Sequence, residues 1–227
     1  MVKITYLGQA GYLFEYKETK IMIDPYLSNS VAKFEPRNER RFPVDERFFS
    51  IVPNVLLFTH NHGDHYDEET VKRFVTEESR ITVLSPYSVW HDVRKFGGNN
   101  NFILFDKGTS VTVDGVVFTA VKAVHSDKDA IGVVMEIEGE KYYITGDTLY
   151  SEKVFSSLPK GRYKALFLPI NGIGNNMNVA DAKRFLERIQ ADFVIPMHIG
   201  LFDDLSGELL QVKNRVIAEN FKEVKLR

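Results

Sequence analysis

Apolar and polar positions alternate through three short runs at the start of the chain, KITYLG, GYLFEY and KIMID, which predict an antiparallel meander. VLLFT follows after a long interval, and DEETVKRFVTEE then shifts to a helical period. ITVLS predicts a strand, and YSVWHDVRKFG a helix stopped by Gly97 and Gly98. A second strand-rich stretch runs through FILF, TSVTV, VVFTAVKAV, IGVVMEIE and KYYITG, with EGEK marking a hairpin turn. The tail alternates again: strand ALFLPI, helix VADAKRFLERIQ, strand DFVIPM, a helix over SGELLQVKNRVIAE and a last strand KEVKLR. In the first of these helices Val179, Ala182, Phe185, Leu186 and Ile189 keep the 3.6-residue period of a face packed on a sheet.

Two sheets with helices outside each satisfy this order, as one four-layer domain spanning 1–227. Residues 28–53, SNSVAKFEPRNERRFPVDERFFSIVP, are long and poorly periodic, as a lid, a binding rim or a plain surface excursion would be. Arg37, Arg40 and Arg41 there could reach a substrate phosphate, but Glu35, Glu39 and Glu46 among them favour a solvated mixed-charge loop.

Composition narrows the function classes. The chain of 227 residues is 44% hydrophobic and 26% charged, with a formal net charge of −2, which offers no general attraction to nucleic acid or anionic membrane. It has no cysteine, which removes thiolate metal sites and cysteine nucleophiles. The N-terminus reads as strands rather than a signal peptide, and no apolar run is long enough to span a membrane, so a cytoplasmic location is expected. A symmetric homo-oligomer would suit such a chain, although nothing in the sequence marks an interface.

The chemistry concentrates in LLFTHNHGDHYDEET, where three of the six histidines fall within six positions. Elsewhere Asp24 follows KIMI, His125 follows VVFTAVKAV, Asp147 follows KYYITG and His198 follows DFVIPM. Five strands therefore end in His or Asp at one topological position, the place where layered folds open a crevice. Imidazole and carboxylate ligands without thiolate suit zinc or manganese, with iron a third fitting ion. His60, His62, Asp64, His65, His125, Asp147 and His198 are too many for one ion and about right for two. Asp24 precedes proline and is also an ordinary turn residue. Tyr26 and the loop NGIGNNMN, with Asn171, Asn175 and Asn176, either line the pocket or serve as turn and helix cap. His91, beside Trp90, reads as a partly buried structural histidine.

HNHGDH resembles the H-x-H-x-D-H motif of the metallo-β-lactamase-fold hydrolases, and AVHS, TGDT and PMHIG resemble its downstream ligand motifs in their usual order. YLGQAGYLFEY, IDPYLSNS and GDTLYS are similar to the L-ascorbate-6-phosphate lactonase subfamily, whose members are longer at both ends. The resemblance implies an αββα sandwich of the α/β (α+β) class holding two divalent ions. One would take His60, His62 and His125; the other Asp64, His65 and His198, with Asp147 bridging and Asp24 orienting a ligand imidazole. It implies hydrolysis by a metal-bound hydroxide, the ions lowering the pKa of water from about 15.7 toward roughly 7, with Asp64 or Asp147 carrying a proton to the leaving oxygen. Two dications against two carboxylates and a hydroxide leave the site positive, so a small anionic substrate is expected, such as a lactone of a phosphorylated sugar acid. A phosphodiesterase or RNA-processing nuclease is the second expectation, although the net negative charge argues against nucleic acid. A non-hydrolytic sensor or redox di-iron protein is the third; redox members carry glutamate at the second motif histidine, where this chain has His62.

Overall fold

The computed structural model describes residues 2–226. Met1 and Arg227 lie outside the described residues, and with them the two ends of the expected 1–227 domain and the last position of KEVKLR. The meander forms as expected: β1 (Lys3–Gly8), β2 (Gly11–Tyr16) and β3 (Thr19–Ile23) pair antiparallel. β4 (Val55–Leu57), β5 (Thr82–Ser85) and β6 (Asn101–Leu104) then add in parallel, giving one sheet of six strands in sequence order. The second sheet repeats the plan. β7 (Ser110–Val113), β8 (Val116–Lys122), β9 (Ile131–Ile137) and β10 (Glu140–Ile144) form a meander. β11 (Tyr163–Pro169) and β12 (Ala191–Met197) extend it in parallel.

Strand periodicity sorts the core into layers. In β4, Val55 and Leu57 face the second sheet while Leu56 faces outward; in β11, Ala165 and Phe167 face inward and Leu166 and Leu168 outward. Against the first sheet pack α1 (Glu68–Phe74) and α2 (Tyr87–Val93), through Val71, Phe74, Val89 and Val93. Behind α3 (Glu152–Phe155), a helix the sequence pattern did not announce, α4 (Val179–Leu186) packs Ala182 and Phe185 against the second sheet. The result is the expected αββα sandwich.

The tail departs from expectation. Where a helix was predicted over SGELLQVKNRVIAE, the chain makes one 3-10 turn (Gly207–Leu209) and then runs extended. Val194 N–H donates to Asn214 O and Val216 N–H to Val194 O, along the free edge of β12. Farther on, Phe221 N–H donates to Tyr6 O, Tyr6 N–H to Lys222 O and Val224 N–H to Ile4 O, along the free edge of β1. The terminal strand is accordingly a single antiparallel bridge, Thr5 to Glu223. Two sheet edges with unpaired backbone groups outweigh helical propensity here, and one strap covers both.

Every strand that precedes a candidate ligand runs toward the same end of its sheet. β3 and β4 are parallel, β8 and β10 are both antiparallel to β9, and β12 runs parallel to β11 and β10.

Candidate metal centre

The first wall of the centre is organised by Asp24, which is fully buried at φ +43° directly after β3. Its Oδ1 accepts Thr59 N–H at 2.8 Å, and its Oδ2 accepts Thr59 Oγ1–H at 2.6 Å and His65 Nδ1–H at 2.8 Å. Thr59 Oγ1, having donated to Asp24, accepts from His60 Nδ1 at 3.0 Å. Both imidazoles are thereby held with the proton on Nδ1 and the lone pair of Nε2 facing inward. The loop between these histidines closes as a turn, with His65 and Tyr66 N–H donating to His62 O, and Asp67 then caps α1 through Glu69 and Thr70 N–H. Asp127 pins the same loop from outside, accepting Asn61 N–H at 3.1 Å and Ser88 Oγ at 2.6 Å.

The second wall comes from β8, β10 and β12. His125 Nε2 lies 3.1 Å from His62 Nδ1, and its Nδ1 lies 3.2 Å from the Asn175 carbonyl. Asp147 is nearly fully buried; its Oδ2 accepts Asn176 Nδ2–H at 2.7 Å and faces His198 Nε2 at 3.1 Å. His198, at φ +60°, donates its backbone N–H to Gln9 O at 2.7 Å, and its Nε2 lies 3.2 Å from Asp64 Oδ2. Gln9 Nε2 donates to that same carboxylate oxygen at 2.7 Å. Gly146 lets the walls meet: at φ +61°, a Cβ there would stand 2.7 Å from Ile131 O and 3.0 Å from Thr59 Cβ.

Two observations make this a fit for cations. His60 Nε2, His65 Nε2 and Asp147 Oδ1 are buried and, among the described residues, have no hydrogen-bond partner. His65 Nε2 and Asp147 Oδ1 face each other at 3.3 Å, and in the neutral ring, with its one proton held on Nδ1 by Asp24, both are acceptors. Two buried lone pairs at that separation require a proton or a metal ion between them. The ligand atoms also gather into compact groups, His60 with His62, His125 and Asp147, and Asp64 with His65 and His198, each within 4.8 Å of one another. Asp147 Oδ2 lies 3.9 Å from His125 Nε2, so the carboxylate stands between the two groups.

Charge in the metal-free centre follows the same geometry. Burial works against a charged His198, but Asp147 and Asp64 outweigh it and push its pKa up to about 10. His65 is raised well above the usual imidazole value by Asp147, Asp24 and Asp64, again against burial. His60 goes the other way, lowered by burial and by its histidine neighbours, and burial lowers His125. Asp64 and Asp147 stay below the usual carboxylate range despite burial, held there chiefly by His65 and His198.

The centre opens into a cleft of about 680 Å³ whose lining includes Gln9, Arg37, Asp64, Asn171 and Phe202. The expected residues separate at this point. Asn171, Asn175 and Asn176 line the cleft, but Asn176 spends its amide on Asp147 and Thr148 N–H. Tyr26 lies outside the lining, fully buried, with its hydroxyl accepting Val31 N–H and its ring against Phe202. Of the three arginines, Arg37 alone lines the cleft; Arg40 donates to Tyr26 and Phe42 carbonyls, and Arg41 pairs with Asp204. His91 departs from expectation: it is exposed on the outer face of α2 beside Asp92, because Val89 and Val93 take the inward positions. The sequence pattern does not single out Gln9 or Thr59, although Gln9 stands in YLGQAGYLFEY and Thr59 directly precedes His60.

Fold and side-chain set together define the class, a metallo-β-lactamase-fold protein with a His and Asp centre suited to divalent cations. The chain belongs to the family described as Beta-lactamase superfamily domain, whose model matches residues 3–198. It is 29% identical over 220 residues to a UPF0173 metal-dependent hydrolase of Korarchaeum cryptofilum, covering 95% of this chain and 91% of that protein. In structure it is similar to Igni18, a metallo hydrolase of Ignicoccus hospitalis, with a TM-score of 0.75 at 19% identity over 98% of this chain and 97% of that one. It is also similar in structure to CmlA, a diiron β-hydroxylase of Streptomyces venezuelae, with a TM-score of 0.71 at 16% identity, covering 92% of this chain and 49% of that one.

Proposed function

We propose that this protein hydrolyses a small anionic substrate with two divalent cations, and that a lactone of a phosphorylated sugar acid is the first candidate. The carrying observation is the pair of buried atoms without a hydrogen-bond partner among the described residues, His65 Nε2 and Asp147 Oδ1, set 3.3 Å apart behind a cleft that Asp64 also lines. His60, His62 and His125 would hold one cation, and Asp64, His65 and His198 the other, with Asp147 shared. Zinc or manganese suits this nitrogen and oxygen set, with iron a third choice. Divalent cations there would supply Lewis-acid polarisation of the substrate and activation of water at neutral pH.

The chain's own groups do the rest. Asp24 and Thr59 fix the tautomers of His65 and His60, so both rings present Nε2 without a search among orientations. Asp147 is tied to Asn176 and His198 and serves as a holding group. Asp64 is the carboxylate nearer solvent, anchored on one oxygen by Gln9, and it takes the role of carrying a proton to the leaving oxygen. Arg37 and Asn38 at the cleft supply donors for the non-reacting anionic end of the substrate.

The test is turnover of L-ascorbate 6-phosphate, bis(p-nitrophenyl) phosphate and p-nitrophenyl acetate by zinc-loaded and manganese-loaded protein, beside Asp64→Ala. Turnover of the phosphorylated lactone that vanishes in the variant supports the reading. Cleavage confined to the diester would replace it with a phosphodiesterase. A fully metallated protein without any turnover would leave it with no basis.

A further inference from the structure

We infer that the loop between β11 and α4, residues 171–178, sets the donor and acceptor roles on the second wall through two asparagines acting in opposite senses. Asn171 accepts from His198, and Asn176 donates to Asp147. The inference rests on the metal-centre reading above and goes beyond it, because neither residue is assigned as a ligand.

The loop is built to hold its side chains still. Gly172 N–H donates to Met177 O, Met177 N–H donates to Thr148 O, and Asn171 bridges Asn178. Gly172 sits at φ +67° where a Cβ would meet Asn178 Cβ at 2.9 Å, so the loop closes tightly on itself. Thr148 directly follows Asp147, and this fastens the loop to the centre.

From that base the loop reaches three residues of the centre. Asn176 Nδ2 can only donate, and it faces Asp147 Oδ2 at 2.7 Å while its Oδ1 accepts Thr148 N–H at 2.9 Å. With Oδ2 so engaged, the Asp147 oxygen left without a hydrogen bond is Oδ1, the one facing His65. The Asn175 carbonyl can only accept, and at 3.2 Å it holds the proton of His125 on Nδ1.

Asn171 is the case where chemistry decides the orientation. Its amide lies 3.1 Å from His198 Nδ1, with the nitrogen drawn toward the ring and Oδ1 buried without a partner among the described residues. His198 Nε2 is the nitrogen aimed at Asp64 and Asp147, at 3.2 and 3.1 Å. A cation held by that trio would take Nε2, which would leave the ring proton on Nδ1. Two N–H groups cannot face each other, so the amide turns by half a revolution and presents Oδ1, giving up its long 3.3 Å contact to Ile173 O and carrying Nδ2 to the buried place Oδ1 held.

The two positions should therefore answer the same substitution in opposite ways. Zinc affinity is measured by chelator competition for wild type, Asn171→Asp, Asn171→Leu, Asn176→Asp and Asn176→Leu, each checked for a native melting transition. Asn171→Asp keeps an acceptor and should stay within about threefold of wild type, while Asn171→Leu should bind about 10–100-fold more weakly. Asn176→Asp sets a carboxylate against Asp147 and should lose at least as much as Asn176→Leu. A second measurement needs no variant: nitrogen NMR of zinc-loaded wild type should show His198 protonated at Nδ1. An unprotonated Nδ1, an Asn171→Leu protein that binds like wild type, or equal losses for Asn171→Asp and Asn171→Leu would overturn the inference. Wild type that binds no zinc would overturn the metal-centre reading along with it.

Discussion

The floor of the cleft and its rim are made from different materials. On the floor, His60, His65, Asp24 and Asp147 are buried, and Asp24 alone accepts three hydrogen bonds from Thr59 and His65. At the rim, residues 28–53 contribute only short 3-10 turns (Val31–Lys33, Pro36–Asn38 and Glu46–Ser50), and Arg37 is 84% exposed beside Glu35. The floor is anchored in two sheets, whereas the rim is anchored by scattered contacts such as Arg40 to the Tyr26 carbonyl. A metal centre needs fixed ligand positions, and a substrate mouth needs room and charge, so the division follows the chemistry.

The largest way to break this contrast is Asp24→Ala. It strands Thr59 N–H, Thr59 Oγ1 and His65 Nδ1 in a buried site, and should cost about 3–5 kcal/mol in urea unfolding together with a large loss of metal affinity. An unchanged unfolding midpoint would mean the floor is not held from Asp24. Gly146→Ala comes next, because the new Cβ would meet Ile131 O at 2.7 Å and the residue already sits at φ +61°. About 2–3 kcal/mol of destabilisation is expected, with weaker metal binding since both walls must shift. A neutral result would show that the walls tolerate separation.

Protons sharpen the same contrast. With His198 raised from 6.5 to about 10, its contribution to metal-free stability is complete below about pH 6.5 and is lost as pH rises through about 10. The depressed Asp64 and Asp147 contribute in the opposite window, above the usual carboxylate value, and lose their share as acid protonates them. A cation held as proposed would displace a His198 proton, so metal affinity should climb about tenfold per pH unit for each proton released. Calorimetry at pH 8 in two buffers of different ionisation enthalpy should register at least one proton leaving. None leaving would place the bound metal away from His198.

How much of this was legible from the sequence divides along the same line. The gathering of candidate residues at strand ends is legible because a short apolar strand fixes where the next polar residue points, as with Ile23 before Asp24 and Met197 before His198. Thr59 and Gln9 were not read as functional, since each acts through a partner far along the chain, Asp24 or Asp64, that pattern alone does not pair with it. The tail departs from its pattern for a related reason. Leu210, Val212, Val216 and Ala218 keep a two-residue spacing broken by Asn214, and only the free edge of β12 decides for an extended chain over a helix. His91 shows the limit within a helix: its exposure depends on which face Val89 and Val93 turn to the sheet.

The smallest effect belongs to the rim and tests it most directly. Arg37 is exposed and pairs with Glu35 only at 3.6 Å, so Arg37→Ala should leave stability within about 0.5 kcal/mol of wild type. Yet it is the one arginine or lysine lining the cleft among the described residues, and on the proposed function it would be the cation that an anionic substrate meets there. KM for a phosphorylated lactone should rise about 5–10-fold with kcat nearly unchanged, and hydrolysis of an uncharged ester should not respond. A drop in kcat instead would mean that Arg37 acts on the reacting end of the substrate, and the rim would then belong with the floor. An equal change for charged and uncharged substrates would show that the side chain shapes the mouth without reading charge.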